Sequence, residues 1–374
     1  VTPADLSRTV LHAVRRAVDE DALRAPVPAR VRVERTRPGG SGDYACAVAL
    51  QLAGPAALPA LEVARILRER VAAEPGVGRV EITGPGFLSF TLDAPAEGDR
   101  AVLDAVREQG LAYGHGDALR DEVLQLHHAR EVRAAVTAHA VRRLVISQGA
   151  RARISCEEAP DPDWARLGVT VDTHGTPPVP HTGIRPVPAA ATAGELLERL
   201  GPDAALWGLL RPAGHDRAAL GPELLVQGET NPLFRVRYAH ARTRALTRGA
   251  ALLGFTAEPA PYGGSHAEPA PHAEDHAEGQ APYDRAARPL LDLIADHPGV
   301  LLAGARHRAP DRVARQLEAV AHAFFDFHDS CPSLPAGDEK PSAAHRSRLA
   351  LAEAAGTVLA GGLSLLGIRA PEHL

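Results

Sequence analysis

Hydrophobic positions recur at helical spacing over long stretches of this chain and alternate only over short ones, so helices are expected to dominate. Leu6, Val10, Val14 and Val18 stand four apart among Asp5, Arg8, Arg15, Arg16 and Asp19, behind a Thr2-Pro3 start that suits a helix cap and first turn. The alternating run at 31–35 predicts a strand, and the turn-rich 38–43 follows it. Helices are expected at 45–52 and 59–73, then strands at 79–83 and 87–92 about the Gly84-Pro85-Gly86 turn. Residues 1–97 thus predict a compact α+β unit with helices on one face of a small antiparallel sheet.

A helix at 99–109 and the turn Tyr113-Gly114-His115-Gly116-Asp117 lead into a strand at 123–127, a helix at 130–147 and a strand at 152–156. That order fits one βαβ unit of an open parallel sheet, within a middle segment spanning 98–222. Residues 158–191 are rich in Pro, Gly and Thr and predict little regular structure. From 223 to 374 the pattern is that of a helical bundle. Phe234, Tyr238, Ala241 and Ala245 form one apolar stripe, and Val313, Leu317, Val320, Ala321, Phe324 and Phe327 form a second. A last helix is expected at 343–363. Between the stripes, residues 256–282 are full of Ala, Pro, Glu and His and read as a flexible insert.

Composition narrows the picture only slightly. With 374 residues and 45% hydrophobic side chains the chain can build two or three ordinary cores. Its longest uncharged apolar stretch, 354–368, falls short of the roughly 20 residues that a spanning helix requires. The amphipathic start lacks the order of a signal peptide, so a cytoplasmic protein is expected. Cys46, Cys156 and Cys331 lie far apart and suggest neither a zinc site nor a disulfide framework. A net charge of −5 argues against a uniformly basic coat but allows local basic patches. Lys340 is the only lysine; every other basic side chain is arginine.

Five short motifs carry a resemblance. They are Gly42-Asp43-Tyr44-Ala45 with Val48-Ala49-Leu50, then Gly84-Pro85-Gly86-Phe87-Leu88-Ser89-Phe90, and Tyr113-Gly114-His115-Gly116-Asp117. The fourth is Asn231-Pro232 with Arg237-Tyr238-Ala239-His240-Ala241-Arg242, and the fifth runs from Leu363-Ser364-Leu365-Leu366-Gly367 through Ala370-Pro371-Glu372. In this order they resemble arginyl-tRNA synthetases: the additional N-terminal domain that meets the tRNA elbow, and the DALR anticodon-binding bundle. The resemblance implies a class I, Rossmann-like segment between them.

That middle segment departs from the family pattern. If 140–145 aligns with the helix after the HIGH motif, the motif falls on His128-Ala129-Arg130-Glu131, with a carboxylate facing the place of the phosphates. Thr182-Gly183-Ile184-Arg185 stands where KMSK would, without its lysine. With some 100 residues between the two tRNA-binding units, the expectation is a degenerate, shortened ligase core. The protein would then be a tRNA-binding relative that does not charge tRNA, takes arginine tRNA as partner and serves a regulatory role. The alternatives are a residual arginine–tRNA ligase that binds ATP, with His128 and Arg185 as its remaining motif residues, or a subunit in contact with the full-length synthetase.

For tRNA contact the resemblance implies Arg35, Arg37 and Tyr44 in the first domain. In the bundle, Arg235, Arg237, Arg242, Arg244 and Arg248 share one helix with no acid between them, the pattern phosphate binding requires. Phe325 and His328 are the surface candidates for base stacking, while Phe324 and Phe327 read as core. His127-His128 and the insert's His266, His272 and His276 match no compact metal-ligand spacing, so no metal is expected.

Overall fold

The structure, a computed structural model, describes residues 3–28, 30–36, 41–72, 74, 77–92, 95–177, 180–259 and 274–374. It divides into two compact units, one built on Val1–Val102 and the other on Leu103–Pro259 with Pro269–Leu374.

In the first unit the elements are α1 (Pro3–Asp19), β1 (Val33–Arg35), β2 (Tyr44–Cys46), α2 (Val48–Ala56), α3 (Ala60–Val71), β3 (Val77–Thr83) and β4 (Phe87–Leu92). The sheet is antiparallel in the order β1-β2-β4-β3. Leu6, Val10, Val14, Val63, Leu67, Leu88 and Phe90 bury against one another as its core. The helix expected at 45–52 starts only at Val48. Tyr44 and Cys46, two apart, turn their side chains into the core, and β2 pairs on both sides, Tyr44 opposite Phe90 and Arg35. Sheet pairing overrides local helix propensity there. Gly42 is required by the same pairing: its φ is +77° and a Cβ would lie 2.7 Å from the Phe90 carbonyl oxygen.

The helix α4 (Pro95–Gln109) leads into β5 (Val123–His128), α5 (Val132–Ser147), β6 (Arg151–Cys156), and the two-residue strands β7 (Thr173–His174) and β8 (Thr182–Gly183). These strands form a parallel sheet in the order β7-β6-β5-β8, which confirms the βαβ unit and extends it by two short strands from the segment expected to be irregular. α6 (Ala193–Leu210) opens on a capping box between Thr192 and Glu195 and is broken at Gly201-Pro202.

α7 (Pro232–Leu252), α8 (Glu274–His307), α9 (Asp311–Ser330) and α10 (Ala343–Leu366) make the bundle. The α9 stripe is buried as expected, each of Val313, Leu317, Val320, Ala321, Phe324 and Phe327 being fully covered. Each large side chain among them contributes about 1.5–3 kcal/mol. α10 is long and apolar enough to cross a membrane, but most of that surface packs inside the bundle against α7, α8 and α9. Two expectations fail here. The inward side of α7 is Leu233, Val236, Ala239, Thr243 and Leu246, whereas Tyr238 is exposed and Phe234 half-buried. The insert expected at 256–282 falls partly outside the described residues, at 260–273, and from Glu274 it belongs to α8.

Two buried histidines tie the second unit to neutral pH. His139 accepts from the Thr170 amide (3.1 Å), and His297 donates from Nδ1 to Gln316 Oε1 (2.8 Å). Burial pushes both down to about 4, helped at His139 by Arg143 and Arg142. Below about 6.5 the unfolded chain takes up protons that the folded one refuses, so stability is full above that pH and falls towards pH 4, by on the order of 3 kcal/mol per histidine. Urea unfolding at pH 7 and pH 4.5 should show this loss, and His297→Asn, which keeps a donor but does not titrate, should show less of it.

Candidate functional site

In an open α/β sheet, ligands bind where the strand order reverses, at the carboxyl ends of the strands. Here the reversal lies between β5 and β8, the two neighbours joined by Leu126–Thr182 and His127–Gly183 pairing. His127 and His128 end β5. Ser155 turns its own proton to the Leu126 carbonyl (3.3 Å), so it accepts from His127 Nδ1–H (2.9 Å). His181 stands edge-on to His127 at 4.8 Å. His128 donates from Nδ1 to the Ala129 carbonyl (2.8 Å), which leaves Nε2 an acceptor; that atom is buried beside Trp164 without a hydrogen-bond partner. Burial lowers its pKa, so it is a neutral imidazole at pH 7. Burial also raises the Cys156 thiol, which keeps it protonated and unreactive.

The carboxylate expected to face the phosphates does not face them. Glu131 is the N-cap of α5: Oε2 accepts from the Ala134 amide (2.8 Å) and Oε1 from the Ala189 amide (2.9 Å). Two cations follow the carboxyl ends of β5 and β8. Arg130 donates from Nε to the Ala159 carbonyl (2.9 Å) and is otherwise exposed. Arg185 folds back over the end of β8, where a Cβ on Gly183 would stand 3.1 Å from its Nε. The carboxyl ends of the central strands thus carry two cations and, beneath them, a buried acceptor without a partner.

The α7 face is a second candidate. Its five arginines come together but are less free than the sequence suggests. Arg235 donates to His322 Nδ1 (2.9 Å) and Arg242 to His328 Nε2 (3.1 Å). Arg237 lies 3.8 Å from Asp203, Arg244 3.1 Å from Glu372, and Arg248 3.4 Å from the Glu372 carbonyl. Acids absent from the helix are thus supplied by α6 and the C-terminal segment. Burial and Arg242 lower the His328 pKa, so the imidazole stays a neutral acceptor.

Beside these arginines Phe234, Tyr238 and Phe325 stack in a row at 5.6 and 5.5 Å. Phe325 was expected at the surface; Phe234 and Tyr238 were missed because four-residue spacing on a helix reads as core. A cleft of about 270 Å³ opens next to the row, lined by Leu200, Asp203, Leu224, Asn231, Phe234 and Arg237. Asp203 had no signal beyond the Gly-Pro break before it. In the first unit Tyr44 is buried, 6% exposed, and belongs to the core rather than to an RNA surface. The Arg35 side chain and Arg37 lie outside the described residues. Among the described residues no group of three or more His, Cys, Asp or Glu is placed to hold a metal.

Two family models match the chain, "Arginyl tRNA synthetase N terminal domain" over residues 5–92 and "DALR anticodon binding domain" over residues 236–374. The arginine–tRNA ligase of Frankia alni is 25% identical over 569 aligned positions that take in 100% of both chains. That of Renibacterium salmoninarum is 26% identical over 568, again with 100% of each. The ligase of Pseudarthrobacter chlorophenolicus is 35% identical over 181 residues, 48% of this chain and 30% of its own. In fold, Thermus thermophilus arginyl-tRNA synthetase superposes with a TM-score of 0.67 at 14% identity, covering 100% of both chains. The Plasmodium falciparum enzyme reaches 0.60 at 9% identity, covering 100% of this chain and 99% of its own.

These matches overturn the expectation of a protein that does not charge tRNA. Its end-to-end relatives are arginine–tRNA ligases, and the alignments run through the middle segment as well as the ends. They include positions in the relatives without a counterpart among the 374 residues here.

The start of α7, which carries the aromatic row, hangs on Asn231. This 3%-exposed side chain accepts from the Leu233 and Phe234 amides (3.0 and 3.3 Å) and donates to the Leu224 and Val226 carbonyls (2.8 and 2.9 Å). Asn231→Ala should cost about 2 kcal/mol, as lost cap plus unpaired buried carbonyls, and denaturant unfolding would measure it.

Proposed function

We propose that this chain, of the arginyl-tRNA synthetase family, is an arginine–tRNA ligase-type enzyme that activates a carboxylate with ATP and passes it to tRNA. The end-to-end match to two arginine–tRNA ligases is the observation that carries the proposal. The crevice between β5 and β8 supports it, because it offers cations and a buried acceptor where an α/β sheet takes nucleotides. In this reading residues 98–222 serve ATP, and residues 1–97 and 223–374 hold the tRNA.

Each site residue has a role that follows from its place. Arg130 and Arg185 neutralise phosphate charge at the mouth of the crevice, a task in which guanidinium replaces lysine. His128, buried beside Trp164 with a neutral ring, packs beneath the strand ends and supports the turn that carries Arg130. The Phe234 and Tyr238 rings of α7, with Phe325 of α9, provide a stacking platform for unpaired bases, while Arg235, Arg242 and His328 border it. Arginines drawn from Asp203 and Glu372 to phosphate would give binding a salt dependence.

Charging of arginine tRNA with labelled arginine and ATP tests the proposal directly. The purified chain should form an alkali-labile aminoacyl ester that requires ATP; a chain that binds the tRNA yet forms no ester above the enzyme-free control sinks the ligase reading. Tyr238→Ala should weaken tRNA binding about tenfold, in line with one lost stacking contact, while leaving ATP dependence unchanged. Fluorescence anisotropy with labelled tRNA would read that change.

A further inference from the structure

The loop that follows β8 is strapped to the first turn of α5 by two side chains two residues apart. Glu131 divides its carboxylate between its own helix, through the Ala134 amide, and the loop, through the Ala189 amide. Arg133, 1% exposed, donates from Nη1 to the Val187 carbonyl (2.9 Å) and through its other nitrogens to the Leu209, Pro212 and Ala213 carbonyls. The Val187 amide in turn donates to Gly214 (2.7 Å). Arg185 sits two residues before Val187, with the Ile184 amide bonded to the His127 carbonyl (2.8 Å). The stretch from Ile184 to Ala189 is thus pinned at both ends to the β5–α5 turn that forms the floor of the crevice.

From this arrangement we infer that Glu131 and Arg133 are positioning residues that hold Arg185 over the strand ends, where it meets the nucleotide's phosphates. The inference rests on the nucleotide reading of the crevice. It assigns a task to a carboxylate that would otherwise only repel a polyanion: both its oxygens accept from amides, so it serves as a tether. Arg133 supplies what a lysine could not, a planar fork that reaches several carbonyls at once.

Glu131→Gln separates the two halves of the tether, because one amide oxygen can still cap α5 while the amide NH₂ opposes the second N–H donor. Hydrogen exchange on the full chain should show the 184–190 amides exchanging about tenfold faster, with the first turn of α5 protected as before. The half-saturating ATP concentration, read from the protection that Mg-ATP gives to residues 123–131, should rise several-fold. In an Arg185→Ala background, Glu131→Gln should add nothing further, since the two act through one contact. Unchanged exchange at 184–190 overturns the tether, and an undiminished second loss in the Arg185→Ala background overturns action through Arg185. A wild-type chain that ATP does not protect overturns the nucleotide reading and the positioning role together, whereas wild-type protection unaltered by Glu131→Gln overturns the positioning role alone.

Discussion

A guanidinium buried to 1% exposure must be met by acceptors on nearly every side, and Arg133 is met by main-chain carbonyls from Val187, Leu209, Pro212, Ala213 and Asp216. Burial lowers its pKa, offset by Glu131 and Asp216, but a guanidinium keeps its charge at any ordinary pH. The cost of desolvating that charge is recovered only if all these carbonyls stay where they are. Irregular backbone at 186–190 and 211–216 is therefore held as firmly as a strand would be. The crevice takes its shape from this one side chain, because the loop carrying Arg185 on one side and the exit from α6 on the other both end at it.

The same helix reaches the bundle from its other end. Gln148, just beyond α5, donates to the Gly114 carbonyl (3.0 Å), and Tyr113 stacks on His297 and bonds the Ile294 carbonyl of α8 (3.2 Å). Arg143 lies against Gly367, the C-cap of α10. One helix thus connects the carboxyl ends of β5 and β8 to the bundle that carries the aromatic row, through packed side chains and hydrogen bonds inside a single compact unit. On the α7 face the charge is only partly balanced: Glu372 answers Arg244, and Asp203 is shared between Arg237 (3.8 Å) and Arg369 (3.1 Å).

Much of the fold was legible because its signals are local. The stripe from Val313 to Phe327 sits in the core as its spacing requires, and the βαβ unit at 123–156 was visible as strand, helix, strand. The sites were less legible, because their geometry is set by contacts distant in sequence. Tyr238 has the spacing of a core residue, and only packing of α7 on α9 shows it stacked on Phe325 at the surface. Tyr44 has the look of a loop contact, and only pairing with β4 buries it. Glu131 reads as a repulsive charge until the Ala189 amide, 58 residues away, is seen to occupy it. The relation to the ligases was hidden for another reason: substituted letters at His128-Ala129-Arg130-Glu131 and around Arg185 look like loss, whereas the match to arginine–tRNA ligases runs through the whole chain.

The central claim is that the β5–β8 crevice takes a nucleotide, and the histidine ring resonances test it most directly. In a titration of the ¹⁵N-labelled full chain with Mg-ATP, His127, His128 and His181 should shift saturably together, while the core reporters His139 and His297 stay in place. Shifts confined to other histidines, or none at millimolar ATP, would contradict it.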